Sequence, residues 1–130
     1  MSKKILAIDD ENDVLLIIKT ALKSEGYEVQ TATNGLDGLA LAEEFGPDLI
    51  VLDIMMPEMD GFEVLRHLKD NEKTFHVPVI MLTGLSDKAK IQDALNKGID
   101  YYIVKPFEFH DLISKVEIAI ANSEAGPMPG

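Results

Sequence analysis

The sequence predicts an α/β domain built on a doubly wound, five-stranded parallel sheet with five helices. Three observations carry that expectation. Short apolar runs recur at Ile5–Ile8, Tyr27–Thr31, Leu49–Leu52, Val77–Leu82 and Tyr101–Val104. Most of them are continuously apolar instead of alternating, the pattern of strands covered on both faces. Between them lie stretches with three- and four-residue apolar spacing, and strand alternating with helix through one domain makes an open sheet with right-handed crossovers.

The first strand runs into the acid pair Asp9-Asp10. Val14, Ile17, Ile18, Ala21 and Leu22 then mark the inner face of a helix that Gly26 stops. Leu39, Ala42 and Glu43 carry the second helix up to Gly46-Pro47, and the third strand closes on Asp53. Phe62, Leu65 and Leu68 define the third helix, and the fourth strand ends at Thr83. Ile91, Ala94 and Leu95 mark the fourth helix before Gly98. Lys105-Pro106 follows the fifth strand, and Leu112, Val116 and Ala119 mark the last helix. From Ser123 the composition turns to Ser, Glu, Ala, Gly and Pro, which does not favour continuing the helix. The domain is therefore expected over residues 1–122, with a flexible tail, a linker start or an expression remnant over 123–130.

With 130 residues, 46% of them hydrophobic and 27% charged, the chain has the composition of one globular domain. It has no cysteine, which excludes disulfides, thiolate metal sites and thiol nucleophiles and suits a reducing, cytoplasmic setting. Twelve basic against 23 acidic residues leave a net charge of −11, which repels a phosphate backbone, so no direct nucleic-acid binding is expected. No apolar run approaches the ~20 residues of a membrane span, and Ile5–Ile8 is too short for the core of a secretory signal, so neither membrane anchoring nor export is expected.

In doubly wound sheets, ligands bind beyond the carboxyl ends of the strands. The residues expected on that rim are Asp9, Asp10, Asp53, Thr83 and Lys105. Converging carboxylates need a cation, and hard oxygen ligands select Mg²⁺, with Mn²⁺ the alternative. Asp10 and Asp53 are the direct ligands in this reading, Asp9 binds through a water, and the backbone carbonyl of Met55 supplies a further oxygen. Two plainer readings stand beside it. Asp9, Asp10 and Glu11 also suit a helix start, where acids cap and complement the dipole, and Lys105 would balance Asp53 as a simple salt bridge. A cis bond before Pro106 costs little and would aim Lys105 back across the rim. Taken together, the set has the parts of phosphoryl transfer: Asp53 as nucleophile forming an acyl phosphate, a metal clamp, and Lys105 and Thr83 on the transferred oxygens.

These residues stand in motifs: Asp9-Asp10, the block from Asp53 through Met55, Met56, Pro57 and Asp60 to Gly61, Leu82-Thr83-Gly84, Gly98-Ile99-Asp100, and Tyr102 to Phe107 with Lys105-Pro106. In that order, over residues 3–122, the chain resembles the receiver domain of bacterial two-component response regulators, the stand-alone chemotaxis regulator among them. The resemblance implies a flavodoxin-like sheet of order 2-1-3-4-5. It implies that a sensor histidine kinase or a histidine phosphotransfer protein donates a phosphoryl group to Asp53 with Mg²⁺ bound. Thr83 and Tyr102 match the switch pair, in which the hydroxyl moves toward the phosphoryl group and the ring turns inward. The face of the fourth helix, fifth strand and fifth helix would then change shape, controlling a downstream protein or the chain's own output domain. A homodimer through that face is a further expectation. A stand-alone phosphorelay or adaptor receiver is the alternative. Such a protein catalyses its own phosphorylation and dephosphorylation and is not a turnover enzyme. Without this context Tyr102 reads as a core aromatic.

Rival functions fare worse. A flavin-binding protein needs a hydroxyl- and glycine-rich phosphate loop where Asp9 to Asp13 stands, and a haloacid-dehalogenase-type phosphatase needs an aspartate where Met55 stands. His67, His76 and His110 show no metal-site spacing and read as surface or packing residues. Met55, Met56 and Met59 read as packing, apart from the Met55 carbonyl. Ile91 and Ile118 are expected to be exposed and, with Tyr101 and Tyr102 on an edge strand, to form an apolar patch. In receivers that drive winged-helix outputs a second acid commonly follows the residue matching Asp100. Here Tyr101 follows and the only arginine is Arg66, which disfavours a charge-paired dimer. Met55 and Leu85, at positions that tune hydrolysis in receivers, cannot orient a water, so a phosphorylated form lasting minutes or longer is expected.

Overall fold

The computed structural model describes residues 2–84, 88–96 and 98–125. Its elements alternate: β1 (Lys4–Ile8), α1 (Asn12–Ser24), β2 (Glu28–Ala32), α2 (Gly35–Phe45), β3 (Leu49–Asp53), α3 (Gly61–Lys69), β4 (Val79–Thr83), α4 (Lys88–Asn96), β5 (Tyr101–Val104) and α5 (Phe109–Ala125). The strands form one parallel sheet of order β2-β1-β3-β4-β5. The expected sheet order is thus observed, with β2 and β5 at its edges.

The continuous apolar runs bury both faces at once because successive strand residues point to opposite sides. Leu6, Ile8, Ile50, Leu52 and Met81 enter one core with Ala42 of α2 and Val64, Leu65 and Leu68 of α3. Their neighbours Ile5, Ala7, Leu49, Val51, Ile80 and Leu82 enter the other, with Leu15, Ile18 and Leu22 of α1 and Leu112, Val116 and Ala119 of α5. On α1 the buried stripe is Leu15, Ile18, Ala21 and Leu22. Ile17, expected inside, is exposed, because its place in the 3.6-residue cycle points away from the sheet.

The helix boundaries follow local chemistry. Asn34 caps α2 by accepting from the Asp37 N–H at 2.8 Å, and Gly46 ends it in the left-handed region at φ +64°. Strand β4 begins at Val79, two residues later than the apolar run, since Pro78 has no N–H to donate. The last helix corrects the expected tail: α5 continues through Ser123, Glu124 and Ala125. Glu124 pairs with Lys3 near the start of β1, and Asn122 donates to the Tyr101 hydroxyl at 2.7 Å, so the last turn has anchors that composition does not reveal. Residues 126–130 of the expected tail lie outside the described residues, as do Leu85 and the side chain of Ile91.

No helix among the described residues is long and apolar enough to cross a membrane.

Candidate functional site

Strand order brings the site together. Strands β1 and β3 are neighbours with Ile8 opposite Leu52, so the next residues, Asp9 and Asp53, leave the sheet side by side. Asp9 keeps its N–H on Ala32 O at 3.1 Å, and Ile54, just past Asp53, donates to Leu82 O at 3.0 Å, so both acids stand on firmly bonded backbone. One carboxylate oxygen from each of Asp9, Asp10 and Asp53 falls within 4.8 Å of the others. Asp9 is 0% exposed and Asp53 2%, while the adjacent Asp10 is exposed. Thr83 is buried at the end of β4, one residue beyond Leu82, the register partner of Asp53.

Lys105 follows β5, its N–H donating to Thr83 O at 2.7 Å, and the Lys105-Pro106 bond is cis. Its Nζ lies 2.8 Å from Asp9 Oδ2, 3.4 Å from Asp53 Oδ1 and 3.5 Å from Glu11 Oε1. The salt bridge read from sequence as Lys105 to Asp53 is therefore a shared contact, closest to Asp9. Asp9 Oδ2 is buried with the Lys105 ammonium 2.8 Å away and no further partner, and since a carboxylate oxygen has two lone pairs, one stays open. Asp9 Oδ1 accepts from the Glu11 N–H at 2.9 Å.

Glu11 occupies the N-cap position of α1, yet its side chain makes no capping hydrogen bond. The plain reading of these acids as helix caps thus fails for Glu11, whose carboxylate turns to Lys105 instead. The sequence offered no sign of that contact, since Glu11 is remote from Lys105 along the chain.

Burial pushes the Asp53 carboxyl up to about 6, and the neighbouring Asp9 charge adds to the rise, against partial offsets from Lys105 and the Met55 N–H. Met55 N donates to Asp53 Oδ1 at 3.3 Å, so its backbone lies at the site while its side chain is exposed. Burial alone would lower the Lys105 pKa, but the Asp9 carboxylate beside it and the charges of Asp53 and Glu11 outweigh this, and the net shift is upward.

The loop from Asp53 to α3 is tight. Met59 N donates to Pro57 O at 2.8 Å, closing a three-residue turn around Glu58, whose φ is +67°. Asp60 caps α3 by accepting from Glu63 N at 3.0 Å. Gly61 lets the helix start press against the site, because a Cβ there would lie 2.3 Å from Asp53 O. In the sequence Gly61 appears only as a turn signal, and its packing role becomes visible once the loop folds back.

Tyr102 is 38% exposed on the edge strand β5, so it is not the core aromatic of the plainer reading. It lines a cavity of about 580 Å³ with Leu95, Val104 and Phe107. Ile118 is exposed, as expected, but does not line that cavity. His67, His76 and His110 are exposed, and among the described residues the Asp9–Asp10–Asp53 group is the one cluster suited to a metal. Three carboxylates within 4.8 Å and an open lone pair on a buried oxygen fit a hard divalent cation.

Comparison with known proteins gives a consistent picture. Residues 5–117 match the family model described as the response regulator receiver domain. The chain is 38% identical over 127 residues to the DNA-binding dual master transcriptional regulator RpaA of Synechocystis, covering 95% of this chain and 52% of that protein. It spans about half the length of the first curated relatives it matches. Among solved structures, a CheY-like response regulator receiver domain protein from Methanospirillum hungatei superposes with TM-score 0.91 at 33% identity, covering 98% of this chain and 100% of that one. The receiver domain of the sensor histidine kinase PA1611 from Pseudomonas aeruginosa, solved with a magnesium ion coordinated in its active-site cleft, gives TM-score 0.85 at 27% identity and covers 93% and 99%.

Proposed function

The chain belongs to the response regulator receiver domain family, and from that premise we propose that it is a phosphorylation-activated switch whose acceptor is Asp53. The observation that carries this reading is the buried Asp53 carboxylate held between an acid cluster and the Lys105 ammonium, 3.4 Å away. In this reading an Asp53 oxygen attacks the phosphorus of a phosphohistidine on a sensor kinase or phosphotransfer protein. The P–N bond breaks, the imidazole leaves, and an aspartyl phosphate forms. Lys105 accompanies the phosphoryl oxygens as charge develops, and the Thr83 hydroxyl donates to one of them. Asp10 and Asp53 would hold Mg²⁺ directly, with Asp9 through a water and Met55 by its carbonyl. Bound there, the cation would neutralise the excess acid and polarise the phosphoryl oxygens. The magnesium in the Pseudomonas receiver supports that assignment.

Charge added at Asp53 draws Thr83 toward it, and the space vacated admits the exposed Tyr102 ring, reshaping the α4–β5–α5 face and its cavity. The downstream target is a second protein, a second copy of this face or an output module. The RpaA relative is about twice as long and a DNA-binding regulator, which favours control of an attached output over the stand-alone adaptor. At a net charge of −11 the receiver itself is a poor ligand for DNA, so contact with nucleic acid in such regulators falls to other segments. The setting is cytoplasmic, and the chain transfers and loses its own phosphoryl group without turning over a substrate. The phosphorylated form persists for minutes or longer.

The test is incubation with acetyl phosphate and Mg²⁺ followed by intact-mass measurement. One phosphoryl group is expected on the native chain and none on Asp53→Asn. A gain that survives the substitution overturns the assignment.

A further inference from the structure

We propose that Glu11 sets donor specificity at this site, as a fixed negative gate that disfavours small free anionic phosphodonors. The inference rests on the phosphoacceptor reading of Asp53 and adds to it a residue with no part in the chemistry. Three observations place the gate. The Glu11 main chain is fastened to the site, its N–H donating to Asp9 Oδ1 at 2.9 Å. Its side chain makes no capping bond to α1, although it stands at the N-cap. Its carboxylate is instead 62% exposed, with Oε1 3.5 Å from Lys105 Nζ, the ammonium that also lies 3.4 Å from Asp53 Oδ1.

That position matters because of the charge already there. Asp9, Asp10 and Asp53 crowd within 4.8 Å around one ammonium, so a bound divalent cation still leaves the three acids and Lys105 balanced, with Glu11 as the surplus charge. A free donor must bring its phosphoryl anion past that carboxylate. Lys105 holds the exposed carboxylate beside the acceptor, and every contact Lys105 makes with Glu11 is one withheld from an incoming phosphoryl oxygen. A donor protein differs in that binding elsewhere on its surface holds its phosphoryl group at high effective concentration, which offsets the local repulsion. The gate therefore discriminates by donor charge and by whether the donor is tethered.

The experiment measures the second-order labelling rate of Asp53, with saturating Mg²⁺, using dianionic acetyl phosphate and singly charged phosphoramidate. Glu11→Gln is expected to label roughly five- to tenfold faster with acetyl phosphate at low ionic strength, with a smaller gain for phosphoramidate. The gain should close as salt rises toward about 0.5 M. Glu11→Asp retains the charge and is expected to stay near the native rates, which separates the field from side-chain shape. Equal or slower labelling of Glu11→Gln overturns the proposal, as does a gain independent of salt or of donor charge. If the native chain takes no label at Asp53, the phosphoacceptor reading falls with it. A labelled native chain with an indifferent Glu11→Gln sinks the gate alone.

Discussion

The ammonium of Lys105 rests 2.8 Å from Oδ2 of the fully buried Asp9, nearer than to the proposed acceptor. It therefore neutralises the acid least able to reach water. Replacing Lys105 with alanine leaves two buried carboxylates uncompensated. Native stability at pH 7 without Mg²⁺ should fall by about 2–4 kcal/mol, read by urea unfolding. Added Mg²⁺ should recover part of that loss, because it supplies the missing charge.

Asp53 gives stability a specific pH dependence. Its folded pKa of about 6 lies above the ordinary 3.8, so between these values the native state holds a proton that the unfolded chain has released. Stability from this group is present below the unfolded value and is lost as pH rises through about 6. The ionised carboxylate then costs roughly 2–3 kcal/mol at pH 7. Asp53→Asn should be more stable than the native chain by that order at pH 7 without Mg²⁺, and no more stable near pH 4. Denaturant melts across pH check it, and a constant difference would count against the burial-driven shift.

Gly61 is predicted to be intolerant of any side chain. A Cβ would meet Asp53 O at 2.3 Å and Ile54 Cα at 2.7 Å, and both are backbone atoms that cannot rotate away. Gly61→Ala should destabilise by about 1–3 kcal/mol. By moving Asp53 it should also slow acetyl phosphate labelling by roughly 10- to 100-fold. Thermal melts and labelling rates measured on the same preparation separate the two effects.

Metal should stabilise the fold through the acid cluster and the Met55 carbonyl. At 100 times its dissociation constant, Mg²⁺ adds about 2.7 kcal/mol if it binds only the folded chain, and EDTA should reverse the gain. Asp10 is exposed, so Asp10→Asn should leave metal-free stability within about 0.5 kcal/mol while removing most of the Mg²⁺ response. Differential scanning calorimetry with and without the ion provides the readout.

Much of this was legible from residues in order. The buried strands announce themselves because two-sided burial demands unbroken apolar runs, as in Leu49–Leu52. Asp53 at the end of such a run, and Lys105 after another, were conspicuous as charges where solvation is lost. Less legible was the end of α5, where Ser123 and Glu124 look like a tail until Lys3 and Tyr101 hold that turn to the sheet. Ile17 and Ile18 are adjacent and both apolar, and only the helix's rotation against the sheet decides which is buried.

Local chemistry set the alternation of elements, the helix stops and the identity of the rim residues, because propensity, periodicity and capping act over a few neighbouring residues. The tertiary structure decided what those residues touch. Sheet order sets β1 beside β3 and so puts Asp9 level with Asp53. Packing buries Asp9 but leaves Asp10 in water. The β5–α5 turn carries Lys105 to Asp9 and Glu11, partners 96 and 94 residues away along the chain. Electrostatic partnership depends on distances of a few ångströms between segments far apart in order, and those distances exist only after the sheet has closed its register.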